Sequence, residues 1–192
     1  MDEPSTAGHR RSPAPAPGDL ERLRDFLGLH DHVAGDLNGS IAPSRATVAA
    51  WLRANGTAGT PSEEELDLAM RTRSDLRSLV AETMGAPRDE DAVARLEALV
   101  RDAGLTIRIA EGDLRVVGQG VRGDLGRLLA IAFLSRRDGT WERLRMCANG
   151  DCEAVFFDRS KNRSGRWCDM ASCGNRAKVR AYRERHRTEA DR

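Results

Sequence analysis

The chain has 192 residues, of which 40% are hydrophobic and 32% charged, with 31 Lys+Arg against 30 Asp+Glu. That balance suits one domain with a small module, or two small domains, and excludes a chain that is disordered throughout. No run approaches the roughly 18 apolar residues of a membrane span, and the N-terminus has no apolar stretch of signal-peptide length, so a cytoplasmic protein is expected.

Residues 1–18 carry Pro4, Pro13, Pro15 and Pro17 among Ser, Thr, Gly and Ala, with His9, Arg10 and Arg11 as the basic cluster. Such a composition cannot build a packed core and reads as a disordered tail. From Asp19 the pattern becomes helical, since Leu20, Leu23, Phe26 and Leu27 form an apolar stripe over about ten residues. His30, Asp31 and His32 follow, two imidazoles and a carboxylate that can bind a metal or exchange protons. Adjacent positions on a helix or strand point apart, however, and no second cluster completes a site, which favours a structural role.

Three helices with recognisable ends come next. Ser44 caps one that runs through Ala54, burying Val48, Trp51 and Leu52, with Gly56 just beyond. Ser62 and Glu65 form a capping box that opens the longest helix. Its Leu66, Ala69, Met70, Leu76, Val80 and Met84 are expected to face inward until Gly85 and Pro87 stop it. Asp89 caps the third, whose Val93, Leu96, Leu99, Val100 and Ala103 are apolar and which Gly104 terminates.

Residues 106–110 and 114–117 alternate apolar and polar around Glu111, Gly112 and Asp113, which predicts a β-hairpin. Gly118, Gly120 and Gly123 lack the spacing and the βαβ setting of a dinucleotide loop and read as turn glycines. A further helix over 125–136 would bury Leu128, Leu129, Ala132 and Phe133. Trp141 and Leu144 then lead into the first cysteine through a stretch too apolar for a free linker, so the two parts of the chain should pack together.

All four cysteines lie in the last quarter. Cys147 and Cys152 have four residues between them, as do Cys168 and Cys173, and fifteen residues join the pairs. This is the spacing of a metal site. Four thiolates fill a tetrahedral zinc ion and leave no position for water, so the site would be structural rather than catalytic. A segment of roughly 40 residues also needs the folding free energy of metal binding, because it buries little apolar surface. Disulfides require an oxidising compartment, and redox pairs favour two intervening residues; isolated core thiols are the remaining alternative.

Asn149 and Gly150 supply the turn between the first two ligands. Ala154, Val155, Phe156 and Phe157 form a β-prone run, residues 159–165 a polar loop, and Arg166, Trp167 and Cys168 the expected return strand of a hairpin. A helix over 174–187 would place Val179, Tyr182 and His186 on one inward face. Knuckle, hairpin and helix in that order are treble-clef-like. With the preceding region they make an α+β protein: a mainly helical domain with a β-hairpin at 19–142 and a small finger at 143–192.

Cys173, Gly174, Asn175 and Arg176 spell a CGNR tetrapeptide. With residues 157–163, Arg166, Trp167, Cys168 and Ala177, Lys178, Val179 and Arg180, it resembles the CGNR-type zinc finger. In that family the finger follows an N-terminal α/β region called the ABATE domain, and members are described as stress-induced transcriptional regulators. The resemblance implies DNA binding, with Cys147, Cys152, Cys168 and Cys173 holding one structural Zn2+. It is close over about 45 residues and architectural over the rest.

Charge separates the two parts. Residues 143–192 hold thirteen Lys+Arg and seven Asp+Glu, a net +6, while residues 1–142 hold eighteen and twenty-three, a net −5. A basic module on an acidic body suggests an electrostatic partner for the module. Arg176, Arg180, Arg183 and Arg187 form one stripe of the last helix, Lys178 is a further cation of the same helix, and Arg159, Lys161, Arg163 and Arg166 decorate the loop. These nine residues are the candidate contacts to duplex DNA, with arginines reaching phosphates or guanine edges. Duplex is favoured over single strands because Phe156, Phe157, Trp167 and Tyr182 are expected to be used in the small core. A protein or RNA partner is the alternative, and an enzyme centred on His30, Asp31 and His32 ranks last because no nucleophile and base or phosphate loop is visible.

Overall fold

The computed structural model describes residues 15–33 and 36–190. The N-terminal part of the expected tail, residues 1–14, lies outside the described residues. In chain order the elements are α1 (Leu20–Leu27), β1 (Asp31–Val33), β2 (Asp36–Ile41), α2 (Arg45–Ala54), α3 (Glu63–Glu82), α4 (Glu90–Asp102), β3 (Leu105–Arg108), β4 (Asp113–Val116), α5 (Gly120–Arg137), β5 (Leu144–Met146), β6 (Val155–Phe157) and α6 (Asn175–Ala190). A 3-10 turn, Trp141–Arg143, precedes β5, and a π-helical turn, Met170–Gly174, precedes α6. The protein is mixed α/β and mostly helical, and among the described residues its strands form three separate antiparallel pairs.

Local chemistry starts each of the three central helices where the caps predict. Ser44 accepts from the Thr47 amide, Asp89 from the Ala92 amide, and Ser62 and Glu65 exchange both bonds of a capping box. These bonds satisfy amides that the first helical turn leaves without partners. The twenty-residue α3 is the central beam, packing against α1, α2, α4, α5 and β5. One continuous core runs from Leu23, Phe26 and Leu27 of α1 through Val48 and Leu52, Leu76 and Val80, and Leu125 and Leu128 to Trp141, Leu144 and Val155. The cysteine-bearing segment is therefore built into the same core as the helices, as the apolar approach to Cys147 suggested. Burial of side chains of this size stabilises by about 1.5–3 kcal/mol each relative to exposure.

Several expectations are corrected by packing. Met84 lies past the end of α3 and is 39% exposed, although its sulfur accepts from the Met146 amide at 3.2 Å. Phe133 sits on α5 but on its outer face, 50% exposed, because Leu125, Leu128, Leu129 and Ala132 already fill the inner one. The helix expected from 125 begins at Gly120, so Gly123 is helical rather than a turn glycine, while Gly120 makes the left-handed entry to the helix at φ 61°, as a turn glycine does. A β-carbon on Gly123 would stand 2.1 Å from the Gly118 carbonyl oxygen, and one on Gly126 would stand 2.6 Å from the Ala103 β-carbon. Close approach of α5 to the end of α4 explains Gly126, and the tight turn of the chain at Gly118 into α5 explains Gly123. The pair β1–β2 was not anticipated, since Asp36, Asn38, Gly39 and Ser40 carry no β-branched density.

The hairpin at 105–116 forms with the expected turn, pairing Leu105 with Val116 and Arg108 with Asp113. The cysteine-region hairpin has a different partner from the one expected. β6 pairs with β5, which precedes Cys147, rather than with residues 166–168, which form no strand. The physical reason is that Leu144 and Val155 are both wholly buried in the helical core, so pairing their strands seals backbone polar groups that helices would otherwise desolvate.

Gly126→Ala tests the close approach. In an open helix alanine would gain about 1 kcal/mol over glycine. Here the clash with Ala103 should reverse the sign and destabilise by about 1–3 kcal/mol, read as a lower Tm in thermal unfolding of the zinc-loaded protein.

Candidate metal centre

The first two cysteines sit on the turn of the β5–β6 hairpin. The Cys147 amide donates to the Ala154 carbonyl at 3.0 Å, and the Cys152 amide to the Asn149 carbonyl at 2.9 Å, folding the chain at Asn149 and Gly150. The second pair arrives from the other side. The Ala148 amide donates to the Arg166 carbonyl at 2.8 Å, which fastens residue 166 to the knuckle. Asp169 then accepts from the Ser172 amide at 2.7 Å and its carbonyl from the Gly174 amide at 3.0 Å, winding the π-helical turn that presents Cys173 inward.

The four sulfurs all lie within 4.8 Å of one another, with Cys152 and Cys168 at 3.8 Å and Cys168 and Cys173 at 3.6 Å. A zinc tetrahedron with bonds of about 2.3 Å has sulfur-to-sulfur edges of about 3.8 Å. The donor set therefore fits Zn2+ in size and in number. Hydrogen bonds from Cys152 and Cys168 hold the Cys147 thiol far below the ordinary range, at about 3, while Cys168 is pushed up as their donor. Four thiolates at such separations are stable only around a cation. The cluster is a zinc-binding site for one structural ion, with every position taken by sulfur.

Groups outside the ligands complete it. Asn149 is buried and its amide donates to the Cys173 sulfur at 3.9 Å, and Arg176 donates to the same sulfur at 3.0 Å. Burial works against the Arg176 charge, yet the bond to Cys173 and the nearby Cys152 and Cys168 raise its pKa overall. Donors of this kind orient a thiolate and soften its charge. Trp167 packs against the cysteines, with the Arg166 guanidinium 5.3 Å from its ring centroid.

The knuckle is also tied to the helical body by charge. Arg73 and Arg77, one turn apart on α3, reach Glu153, the residue after Cys152, at 3.7 and 2.9 Å. Arg73 also donates to the Leu29 carbonyl, and Arg77 to the carbonyls of Leu27 and Glu153. Burial and the neighbouring Arg77 push Arg73 down to about 10, so it remains a cation at neutral pH. Two arginines thus hold the end of α1 and the metal knuckle together. Sequence reasoning passed over them, though arginines at 73 and 77 on the inward stripe of α3 signalled that buried charges needed a partner.

Asp158 organises the loop that follows. It is buried, accepts from the Ser160 amide at 2.9 Å and the Gly165 amide at 2.8 Å, and a β-carbon on Gly165 would lie 2.7 Å from its oxygen. Burial opposes its charge, but these donors keep its pKa below the ordinary value. Arg143 and Arg145 grip the same loop through the carbonyls of Asp158, Ser160 and Arg163, and Arg163 takes a left-handed φ of 51°.

The nine basic candidates fall into different settings. Arg159 donates to the Pro15 carbonyl at 2.5 Å, which anchors the start of the described chain, and Arg166 lies over Trp167. Arg176 faces the metal site instead of solvent, which takes it out of the expected stripe. Arg180 is 3.3 Å from Asp151. Lys161, Arg163, Lys178, Arg183 and Arg187 are exposed, and none has an ion-pair partner among the described residues.

The last helix does not bury the face expected of it. Val179 is 41% and Tyr182 57% exposed, so Tyr182 is not spent in the small core. Its ring is open to solvent, so it does not favour duplex over single strands as the expected burial of all four aromatics would. Near the N-terminal half, Asp31 accepts from the Ser44 amide at 2.8 Å and from the Thr47 hydroxyl, bracing the start of α2. His30 Nδ1 donates to the Gly28 carbonyl at 2.8 Å, and the side chain of His32 lies outside the described residues. Asp31 and His30 face different structural partners.

Residues 143–186 match the family model described as CGNR zinc finger. No curated protein matches the chain. Among the described residues, no helix is long and apolar enough to cross a membrane.

Two outcomes follow. The purified protein should carry one zinc per chain by elemental analysis, and chelation or Cys173→Ser should release it and lower Tm, with altered fluorescence from Trp167 beside the cluster. Arg77→Leu removes the nearer of the two guanidiniums that reach the Glu153 carboxylate and the Arg77 donor to two carbonyls. It should cost about 1–3 kcal/mol in denaturant unfolding and weaken zinc retention in a competition titration with a chelator.

Proposed function

We propose that the protein is a zinc-stabilised DNA-binding regulator of transcription acting in the cytoplasm, in which an ABATE-like body at 19–142 carries the CGNR finger to duplex DNA. The zinc is a scaffold and no catalytic chemistry is part of this reading. The observation that carries it is α6: a sixteen-residue helix with six Arg+Lys and two Glu over 175–190, fixed at its root by the metal site and exposed from Tyr182 through Arg187. A helix of this length spans about 24 Å, and the major groove is about 12 Å wide, enough to admit it.

The body adds selectivity of orientation. Residues 1–142 carry net −5 and residues 143–192 net +6, so a polyanion is drawn to the finger and repelled by the rest. Lys161 and Arg163 on the Asp158 loop extend the basic surface. A second reading, an RNA or single-stranded partner, gains from the exposure of Tyr182, whose ring is available for stacking. A protein partner held by the zinc scaffold is favoured by no such observation.

Binding to duplex DNA should be steeply salt-dependent, each neutralised phosphate adding about 0.9 to the slope of log affinity against log salt. Removing two cations with Arg183→Gln and Arg187→Gln should reduce that slope by about 2 units, measured by fluorescence anisotropy with zinc bound. An unchanged slope, or preference for single-stranded over duplex probes, would count against duplex recognition by α6.

A further inference from the structure

On an α-helix successive residues advance about 100°. Val179, Tyr182 and His186 therefore share one narrow strip of α6. Arg183 and Arg187 stand about 70–110° to one side of that strip, and Lys178 and Arg185 about 70–90° to the other. Val179 and Tyr182 are exposed at 41% and 57%, and the His186 ring meets Tyr182 edge-on with centroids 4.2 Å apart. An apolar and aromatic strip open to water between two rows of cations is not the face of a helix that packs on its own protein. It matches the cross-section of a duplex groove, with base edges on the floor and phosphates on both walls.

Resting on the proposed duplex-binding function, we infer that α6 enters the major groove with this strip facing the base pairs, and that Tyr182 is its specificity-determining residue. Val179 supplies an apolar contact of the kind that recognises a thymine methyl group, and the Tyr182 hydroxyl a hydrogen bond to a base edge. The ring contact with His186 holds the tyrosine in one orientation before binding, so less freedom is lost on docking. Arg183, Arg187, Lys178 and Arg185 contact phosphate and carry affinity without sequence information. Tyr182 is the one tyrosine of the chain. Nothing in the fold requires it to be there: past Ala181 no described residue of α6 up to Arg187 is buried.

The test is selection of binding sites from a random duplex pool by zinc-loaded wild-type protein, Tyr182→Ala, Tyr182→Phe and the double variant of Arg183→Gln with Arg187→Gln. Zinc content and circular dichroism confirm that each variant is folded, which the exposure of all three positions permits. Tyr182→Ala should erase a preference of about five- to a hundredfold at one or two adjacent base pairs and leave the rest of the consensus. Tyr182→Phe should lose the part due to the hydroxyl. The arginine variant should keep the wild-type consensus with weaker, less salt-sensitive binding. Wild-type binding with a consensus that Tyr182→Ala leaves intact overturns this inference alone. Absence of duplex binding by the wild type overturns the functional reading and this inference with it.

Discussion

The four-sulfur cluster and the helical core meet at a single hairpin, and most of the protein's architecture depends on that junction. β5 and β6 bury Leu144 and Val155 among the helices, while the turn between them holds Cys147 and Cys152. Zinc is thus bound at the end of strands whose other residues are already in the main core. Arg73 and Arg77 strengthen the junction by holding Glu153, next to Cys152, to the carbonyls at the end of α1. A buried guanidinium without an anion would be costly, and a metal knuckle without a fixed base would lose its second pair of ligands to chain entropy. Each solves the other's problem.

Beyond the junction the chain becomes progressively less covered. The loop at 158–165 has no core of its own and is shaped by a single buried carboxylate, Asp158, together with arginines 143 and 145. The π-helical turn is fixed by Asp169 and by Cys173 in the cluster. From there α6 leaves, and past Ala181 it is exposed through Arg187. Order therefore passes outward from the hydrophobic core, through metal and hydrogen bonds, to a helix whose exposed residues are chosen by something other than packing.

Electrostatics follows the same gradient. Most arginines on the body are engaged: Arg95 with Asp75, Arg127 with Asp124, Arg45 with Glu63 and Asp67, Arg108 with Glu111. At exposed positions such pairs contribute little to stability, but they consume positive charge. On α6 and the Asp158 loop several cations keep their charge available. The near-zero net charge of the whole chain conceals this division, and only the division has consequences for a partner.

Features encoded within a few residues were legible in the sequence alone. The caps at Ser44, Ser62 and Asp89, the glycine stops, the hairpin turn at Glu111 to Asp113 and the paired spacing of the four cysteines all act through neighbours near in the chain, so pattern suffices to read them. Tertiary structure decided what depends on distant surfaces. It chose β5 over residues 166–168 as the partner of β6, because Leu144 and Val155 had a core to enter. It turned Arg176 to the Cys173 sulfur and left Val179 and Tyr182 in solvent, although periodicity alone made them look buried. Periodicity defines which residues share a face of a helix; whether that face is covered depends on what the remaining chain has left to place against it.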